Sequence, residues 1–487
     1  MSKGINQTSL KTKTVTGVGW SAADAIAGQG VNFLVSLVLA RLLSPSEYGL
    51  IGIAMIFITI LSGFVDCGFS NALIRKKDVS NNDYDTMFIT NLVMSVVVYF
   101  ILFFSAPLIA DFFQRQEVTN LLRVLSLTVV IQAISLVQNT ILTKQIDFKT
   151  KTKATIIAAI ISGIAGILVA FYGWGVWSLV VQQIAFNVSN TLCLVVFCRW
   201  LPNFSFNRES FHYMWGFGWK LMLSGFLDRV WAQLYQTVVG KCYTPETLGQ
   251  YSRAKHFSQI FSQNFTSIIQ RVTYPALAEV QDDQQRMIAA YRKIIKVSMF
   301  VTAVCMISLG AISEPFIYCL IGDQWHQAAT FLPLICISMS LYPLHAINLN
   351  MLQVQGRSDI FLILEIAKKI IAIGPICMGI FIDIYWMLVG SIIYGFICFF
   401  LNSYYTGKKL GYSSWQQLKD VAPSYGIALL IAVSVFFLKY IPISNFVILP
   451  LQLVVGATVF AGICYVFKPQ EYQEIKGIIV GYLNKRK

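Results

Sequence analysis

Apolar runs recur from one end of this chain to the other, many of them long enough to cross a lipid bilayer. Val93–Ile109, Ile156–Tyr172, Ile392–Leu401 and Phe446–Phe467 are four of them. A hydrocarbon core about 30 Å thick takes around 20 mostly apolar residues per helix. The chain has 56% hydrophobic and 12% charged residues, where soluble domains carry roughly 25% charged residues. Its mean hydropathy is +0.64. A soluble globule is therefore excluded, and the expected fold is an all-α polytopic membrane protein.

Windows of about 19 residues place spans near 17–40, 48–70, 86–109, 120–142, 154–172, 174–197, 213–239, 249–271, 294–313, 328–351, 359–381, 384–405, 421–440 and 445–467. The eighth is weak, because Gln, Asn and Ser interrupt the stretch between His256 and Arg271. Charge placement supports it nonetheless. With a cytoplasmic amino terminus, the inner segments hold 24 Lys and Arg and the outer loops four: Arg41, Arg115, Lys241 and Lys439. Short loops rich in Lys and Arg stay in the cytoplasm, and removing one span mid-chain would invert every later loop. Fourteen spans with both termini in the cytoplasm are expected. The net charge of +14 belongs to this asymmetry. No basic stripe or RNA-binding motif accompanies it, so nucleic acid is not an expected partner.

The chain also repeats itself. Gly17-Val18-Gly19-Trp20 opens span one, and Gly216-Phe217-Gly218-Trp219 opens span seven, 199 residues later. Ser44-Pro45-Ser46-Glu47-Tyr48-Gly49 matches Thr244-Pro245-Glu246-Thr247-Leu248-Gly249 at an offset of 200. Self-similarity at a fixed period marks duplicated units. Six spans separate the copies, so both run in the same direction. Parallel repeats with a substrate site between them are a transporter architecture. The expected organisation is a cytoplasmic tail at 1–16, a first lobe at 17–200, a second at 201–406, two extra spans within 407–467 and a cytoplasmic tail at 468–487.

The polar stretch Met1–Thr16 lacks the apolar core and small-residue cleavage site of a secretory signal. The ten Cys are scattered, with no CxxC pair and no His at metal-ligand spacing. They read as small buried hydrophobes, and no metal or cofactor is expected. Neither GxxxxGK[ST] nor HExxH nor GxSxG occurs, and the loops are too short for a folded catalytic domain. The expectation is a protein that is not an enzyme and has no catalytic residues.

Ionisable groups inside spans carry the information. Each costs about 2.5–3.5 kcal/mol at a helix centre, so it normally faces a bundle interior or a watery cavity. In span one, Ser21, Asp24, Gly28, Asn32 and Ser36 fall on one face. In span eight, Arg253, His256, Gln259, Gln263, Ser267 and Gln270 do the same. Span seven adds Lys220, Asp228 and Arg229, the last two readable either as a structural ion pair or as cavity lining. The expected cavity set is Asp24, Asn32, Lys220, Asp228, Arg229, Arg253, His256, Gln263 and Gln270, a cationic interior suited to an anionic substrate. Lys296, Lys368 and Lys369 sit near span ends and are expected to snorkel toward the headgroups. His345 is expected to be a packed or hydrogen-bonded residue.

Specific runs resemble a known family. Leu39-Ala40-Arg41-Leu42-Leu43-Ser44-Pro45-Ser46-Glu47-Tyr48-Gly49-Leu50 and Phe64-Val65-Asp66-Cys67-Gly68-Phe69-Ser70-Asn71 resemble the signature of the polysaccharide transporter (PST) family. Tyr274-Pro275-Ala276-Leu277-Ala278-Glu279 and Leu320-Ile321-Gly322-Asp323-Gln324-Trp325 resemble it too, nearest the colanic-acid and teichuronic-acid exporter branch. The family belongs to the multidrug/oligosaccharidyl-lipid/polysaccharide (MOP) superfamily. The resemblance implies a V-shaped pair of six-helix lobes with two further helices in the bacterial inner membrane. It also implies alternating access that flips a polyprenyl-diphosphate-linked oligosaccharide from the cytoplasmic to the periplasmic leaflet, for lipopolysaccharide or exopolysaccharide. Expected partners are that substrate, membrane lipids and a glycan polymerase, with H+ or Na+ as coupling ion. The alternative within the superfamily is a cation-coupled multidrug exporter, which the excess of basic over acidic intramembrane residues disfavours. Lipid II flippases, a sister family, have an Arg before the acidic residue of span one. Here Ala23 precedes Asp24.

Overall fold

The computed structural model describes residues 30–279, 283–354 and 358–484, with some side chains inside those ranges, Gln270 among them, left out. Among the described residues the chain forms only helices and short 3-10 turns. It divides into two units after Gly249. The first holds α1 (Gly30–Leu42), α2 (Pro45–Leu61), α3 (Phe69–Arg75), α4 (Asn81–Phe113), α5 (Glu117–Leu125), α6 (Leu127–Lys144), α7 (Phe148–Phe171), α8 (Trp177–Cys198), α9 (Arg208–Cys242) and the start of α10 (Pro245–Glu279). The second continues α10 and adds α11 (Gln284–Ala311), α12 (Ser313–Ile321), α13 (His326–Ser340), α14 (Tyr342–Val354) and α15 (Ser358–Ile371). Then come α16 (Ile373–Phe381), α17 (Ile384–Leu410), α18 (Ser414–Phe436), α19 (Asn445–Phe467) and α20 (Gln470–Asn484).

Among the described residues, ten helical segments are long and apolar enough to cross a membrane, and they coincide with ten of the fourteen expected spans. The other four are helical as well. The first is α1, seen from Gly30 onward; the seventh and eighth are α9 and α10, each 35 residues long. The eleventh is interrupted at Ala372, between α15 and α16. Charges explain the two long exceptions: Lys220, Asp228 and Arg229 in α9, and Arg253, Lys255 and His256 in α10. The helix α9, expected to open the second lobe, packs against α2, α3 and α4 and lies in the first unit.

The repeated Ser/Thr-Pro-x-x-x-Gly pattern has a local cause. The Ser44 side chain accepts from the Glu47 N–H while the Glu47 carboxylate accepts from the Ser44 N–H, and Pro45 takes the first helical position. Such a capping box satisfies donors that a helix start leaves without partners. Thr244 repeats half of it, its Oγ1 accepting from the Thr247 N–H at 3.2 Å. The two starts also meet, both inside the first unit. A Cβ placed on Gly49 would lie 1.8 Å from the Pro245 carbonyl oxygen, and one on Gly249 would lie 1.9 Å from that of Pro45. Only glycine permits this reciprocal approach.

The second span is broken. After α2 a 3-10 turn covers Ser62–Phe64. Cys67 and Gly68 then take positive φ values of 50° and 74° before α3 begins. The bend is held from inside: Asp66 accepts from the Ser70 N–H at 3.2 Å and from its hydroxyl at 2.5 Å. Thr140 of α6 donates to the same Ser70 oxygen at 3.0 Å. Gly218 of α9 lies against the bend, where a Cβ would come within 2.4 Å of the Cys67 carbonyl oxygen. Of the two glycines in Gly216-Phe217-Gly218, the second is the one that packing demands, since nothing lies within 4 Å of a Cβ on Gly216.

In the second unit, Tyr291, Ile295, Met299, Leu344, Ile347 and Phe399 form a buried core between α11, α14 and α17. A polar node joins this core to α18. Arg292 pairs with Asp420, as does Lys296 at 3.3 Å, and the Tyr412 hydroxyl donates to the same carboxylate at 2.7 Å. Lys296 therefore does not snorkel as expected, because Asp420 on the neighbouring helix offers it a counter-charge.

Candidate functional site

Among the described residues, two helices, one in each unit, carry a polar row off their packed side. In the first unit α9 begins on Asn207, whose side chain accepts from the Glu209 and Ser210 N–H groups. Ser210, Met214 and Gly218 bury one side of the helix. Lys220, Ser224 and Asp228 follow at four-residue steps and are exposed. Residues so spaced share a face. Arg229, the next residue, turns to the break in span two. Its Nη1 donates to the Ser62 hydroxyl at 3.0 Å, with the Thr59 carbonyl at 3.5 Å, and its stem lies over Gly63. A cation at the carbonyl end of a helix is favoured by the helix dipole. Arg229 thus caps α2. Asn32 is half-buried on α1, the helix whose Val35 packs against Gly163 of α7. Asp24 lies outside the described residues.

In the second unit α10 is polar on two sides for two reasons. On its buried side Gln250 bridges to the start of α13: its Nε2 donates to the Gln324 carbonyl at 2.7 Å and its Oε1 accepts from the Ala328 N–H at 2.9 Å. Ser262 donates to the Met339 carbonyl at 2.8 Å. Ala254, Phe257 and Ser258 complete that side, with Phe257 edge-on to Phe316. On the other side Arg253 and Gln259 are half-buried while His256 and Gln263 are exposed. The helix is thus anchored through one polar row and presents the other.

Such a row cannot economically face lipid. A charged or amide side chain in hydrocarbon lacks partners, so a helix carrying one turns it toward protein or water. The Arg253–Gln263 row lies off the packed side of α10. A guanidinium there offers forked donors that suit phosphate oxygens. Of the expected site residues, Arg253, His256 and Gln263 come together on this row, and Lys220 and Asp228 on the α9 face. The Gln270 side chain lies outside the described ones. Reading the sequence missed Gln250 and the Asp420 node, whose partners are 74 and 128 residues away. A lone acid beside Lys419 at the start of span thirteen was the available hint of the second.

Comparison with known proteins narrows the chemistry. A family model described as a polysaccharide biosynthesis protein matches residues 38–330. The succinoglycan biosynthesis transport protein ExoT of Rhizobium meliloti (strain 1021) is 24% identical over 76% of this chain and 75% of its own. The lipopolysaccharide biosynthesis protein WzxC of Escherichia coli (strain K12) is 23% identical over 76% of each chain. The teichuronic acid biosynthesis protein TuaB of Bacillus subtilis (strain 168) is 24% identical over 72% of this chain and 73% of its own. Among solved structures, the lipid II flippase MurJ in an inward closed conformation superposes with a TM-score of 0.70 at 14% identity, covering 95% of this chain and 99% of that one. An inward-facing multidrug resistance MATE transporter of the MOP superfamily reaches 0.61 at 15% identity, covering 80% and 99%. The fold is that of the MOP superfamily.

Proposed function

The chain belongs to the polysaccharide biosynthesis protein family, and from that premise we propose that it flips a polyprenyl-diphosphate-linked oligosaccharide from the cytoplasmic to the periplasmic leaflet by alternating access. The observation that carries this reading is the Arg253–His256–Gln263 row, which lies on the side of α10 away from its buried Gln250–Ser262 row. A diphosphate and its sugars cannot cross hydrocarbon unaided, because each charge and hydroxyl would lose its water. A wet, positively charged helix face supplies replacement hydrogen bonds to the head while the polyprenyl tail stays in the bilayer.

The MATE-like fold also admits drug export. The names of the relatives and the cationic character of the row favour an anionic glycan carrier instead, since cationic drugs call for acidic surroundings. The protein works in the bacterial inner membrane with both termini in the cytoplasm, as the distribution of Lys and Arg implies, and hands its cargo to a glycan polymerase. Deleting the gene in its own host tests the reading. Surface glycan should disappear and the lipid-linked repeat unit should accumulate on the cytoplasmic leaflet. Unchanged surface glycan together with lost resistance to cationic drugs would favour the exporter.

A further inference from the structure

Two opposite charges stand at one end of an apolar hollow in the second unit. A cavity of about 530 Å³ lies between α11, α12, α13 and α18, within the roughly 300–1,000 Å³ of small-molecule sites. Glu314 and Lys439 line it, and so do Met306, Ile337 and Leu429. Both charges follow directly on the ends of α11 and α18, while the apolar residues lie further back along α11 and α18 and further on along α13. The hollow is therefore polar at one end and apolar below. Lys439 is one of the four cations expected outside, which makes the polar end the outer one.

The pair on α15 shows how different this arrangement is. Lys368 is 9% exposed and meets Glu365 one turn earlier, so it does not snorkel as expected and its charge is met within its own helix. Glu314 Oε2 and Lys439 Nζ stand 3.5 Å apart, beyond the roughly 2.7–2.9 Å of a close charge-assisted bond. The Glu314 side chain is 49% exposed. Lys439 is instead cupped by aromatic rings, 4.4 Å from the centre of Phe436 and 5.2 Å from that of Tyr440, a contact that holds a cation in place. A further acceptor faces the hollow near the start of α13. Pro333 has no N–H to offer the Ala329 carbonyl, and both residues line the cavity.

We propose that this cavity binds a phospholipid with a primary-ammonium head, of the phosphatidylethanolamine class. The ammonium bonds to the Glu314 carboxylate and the Ala329 carbonyl, the phosphate meets Lys439, and an acyl chain fills the apolar hollow. An ethylene link joins the two charges of such a head, so it can answer two opposite charges on neighbouring helices at once. A choline head has no N–H to donate. A glycerol head brings no cation, and its phosphate is repelled by Glu314. A polyprenyl phosphate fails for the same reason. None of the α10 row takes part, and the site goes beyond the flippase reading: it ties the start of α12 to the end of α18 through a lipid of the outer leaflet.

The test uses the full chain, purified in detergent, stripped of lipid and offered phosphatidylethanolamine, phosphatidylcholine or phosphatidylglycerol at equal concentration. Native mass spectrometry counts the lipid that stays bound, and the thermal midpoint of the lipid-free protein checks the fold of each variant. Wild-type protein should retain phosphatidylethanolamine about threefold over each of the others, the effect of one partly exposed charge pair. Glu314→Gln should bring its retention down to that of phosphatidylcholine, and Lys439→Gln should weaken both. Lys439→Arg keeps the charge and should keep the preference. Ala432→Phe, which fills the hollow beneath the head, should lower retention of all three. Lys293→Gln, at the separate Lys293–Glu474 ion pair, should match the wild type. Equal retention of the three lipids by the wild type, or an undiminished preference in Glu314→Gln, would overturn the site. So would displacement of the bound phosphatidylethanolamine by an equal amount of undecaprenyl phosphate. No glycan is moved in this experiment, so its failure leaves the flippase reading untouched.

Discussion

The helices that begin at Pro45 and Pro245 start alike and then diverge. Both open on a capped Pro-x-x-x-Gly turn, and each turn presses its proline carbonyl against the other's glycine. Beyond that point α2 carries no charge after Glu47 and ends in a bend sealed by Asp66 and capped by Arg229. The other helix, α10, runs unbroken for 35 residues with Arg253, Lys255 and His256 along its length. Duplication has kept the end where two backbones touch and released the middle. The touching end is constrained by sterics, which leave glycine no substitute; the middle is constrained only by what it must face.

The largest expected effect comes from breaking the shared end. Gly49→Leu or Gly249→Leu drives a side chain into a proline carbonyl, so the two helix starts must separate, and surface glycan should fall to near background. Gly216→Ala, where a Cβ meets open space, should leave export at the wild-type level. Immunoblotting of membranes separates a transport defect from loss of protein. Equal export in Gly49→Leu and Gly216→Ala would show that the reciprocal contact is dispensable.

Next comes the divergent middle. Replacing Arg253 with Glu removes charge-assisted hydrogen bonds worth about 1.5–3 kcal/mol, or roughly 10- to 100-fold in export rate. Arg253→Lys should recover part of it if charge suffices, and little if the forked geometry is required. At the far end of α2, Arg229→Ala on α9 should act through stability, since this residue caps α2. A loss of about 1 kcal/mol, read as a lower thermal midpoint in detergent, is expected, with the export rate per folded molecule nearly unchanged. A large export defect at normal stability would move Arg229 into the substrate path.

The smallest contrast lies within α10 itself. Gln250→Ala removes the hydrogen bonds to the Gln324 carbonyl and from the Ala328 N–H and should cost about 1–3 kcal/mol of stability. Gln263→Ala, on the opposite row, should cost almost none and lower export modestly. Thermal unfolding of the two purified variants side by side measures the difference. The reverse order would exchange the anchored and presented sides of the helix.

What the sequence revealed follows from which forces act locally. Hydropathy exposed the ten apolar spans because each needs only its own residues to be insoluble in water. The Pro-x-x-x-Gly repeat was visible because its cap is built within four residues. The eighth span emerged from loop charges, since its own Arg253 and His256 hide it from hydropathy. The break at Ser62–Gly68 is legible in the sequence as a motif and not as a bend, because the positive φ at Cys67 goes with contacts to α6 and α9. Lys296 and Lys368 looked like snorkelling residues since nothing nearby in sequence shows that Asp420 awaits one and that the other faces the bundle. Arg229 stood between an ion pair and cavity lining, and its acceptor at Ser62 lies 167 residues away.

The claim that the α10 row carries the anionic head is tested most directly by reconstituted flipping of a labelled undecaprenyl-diphosphate oligosaccharide, with an impermeant glycosidase reporting arrival in the far leaflet. Wild-type protein should render the far-leaflet pool cleavable, and Arg253→Glu, inserted at equal density and equally folded, should do so at least tenfold more slowly. Equal rates for the two proteins would contradict the role assigned to Arg253.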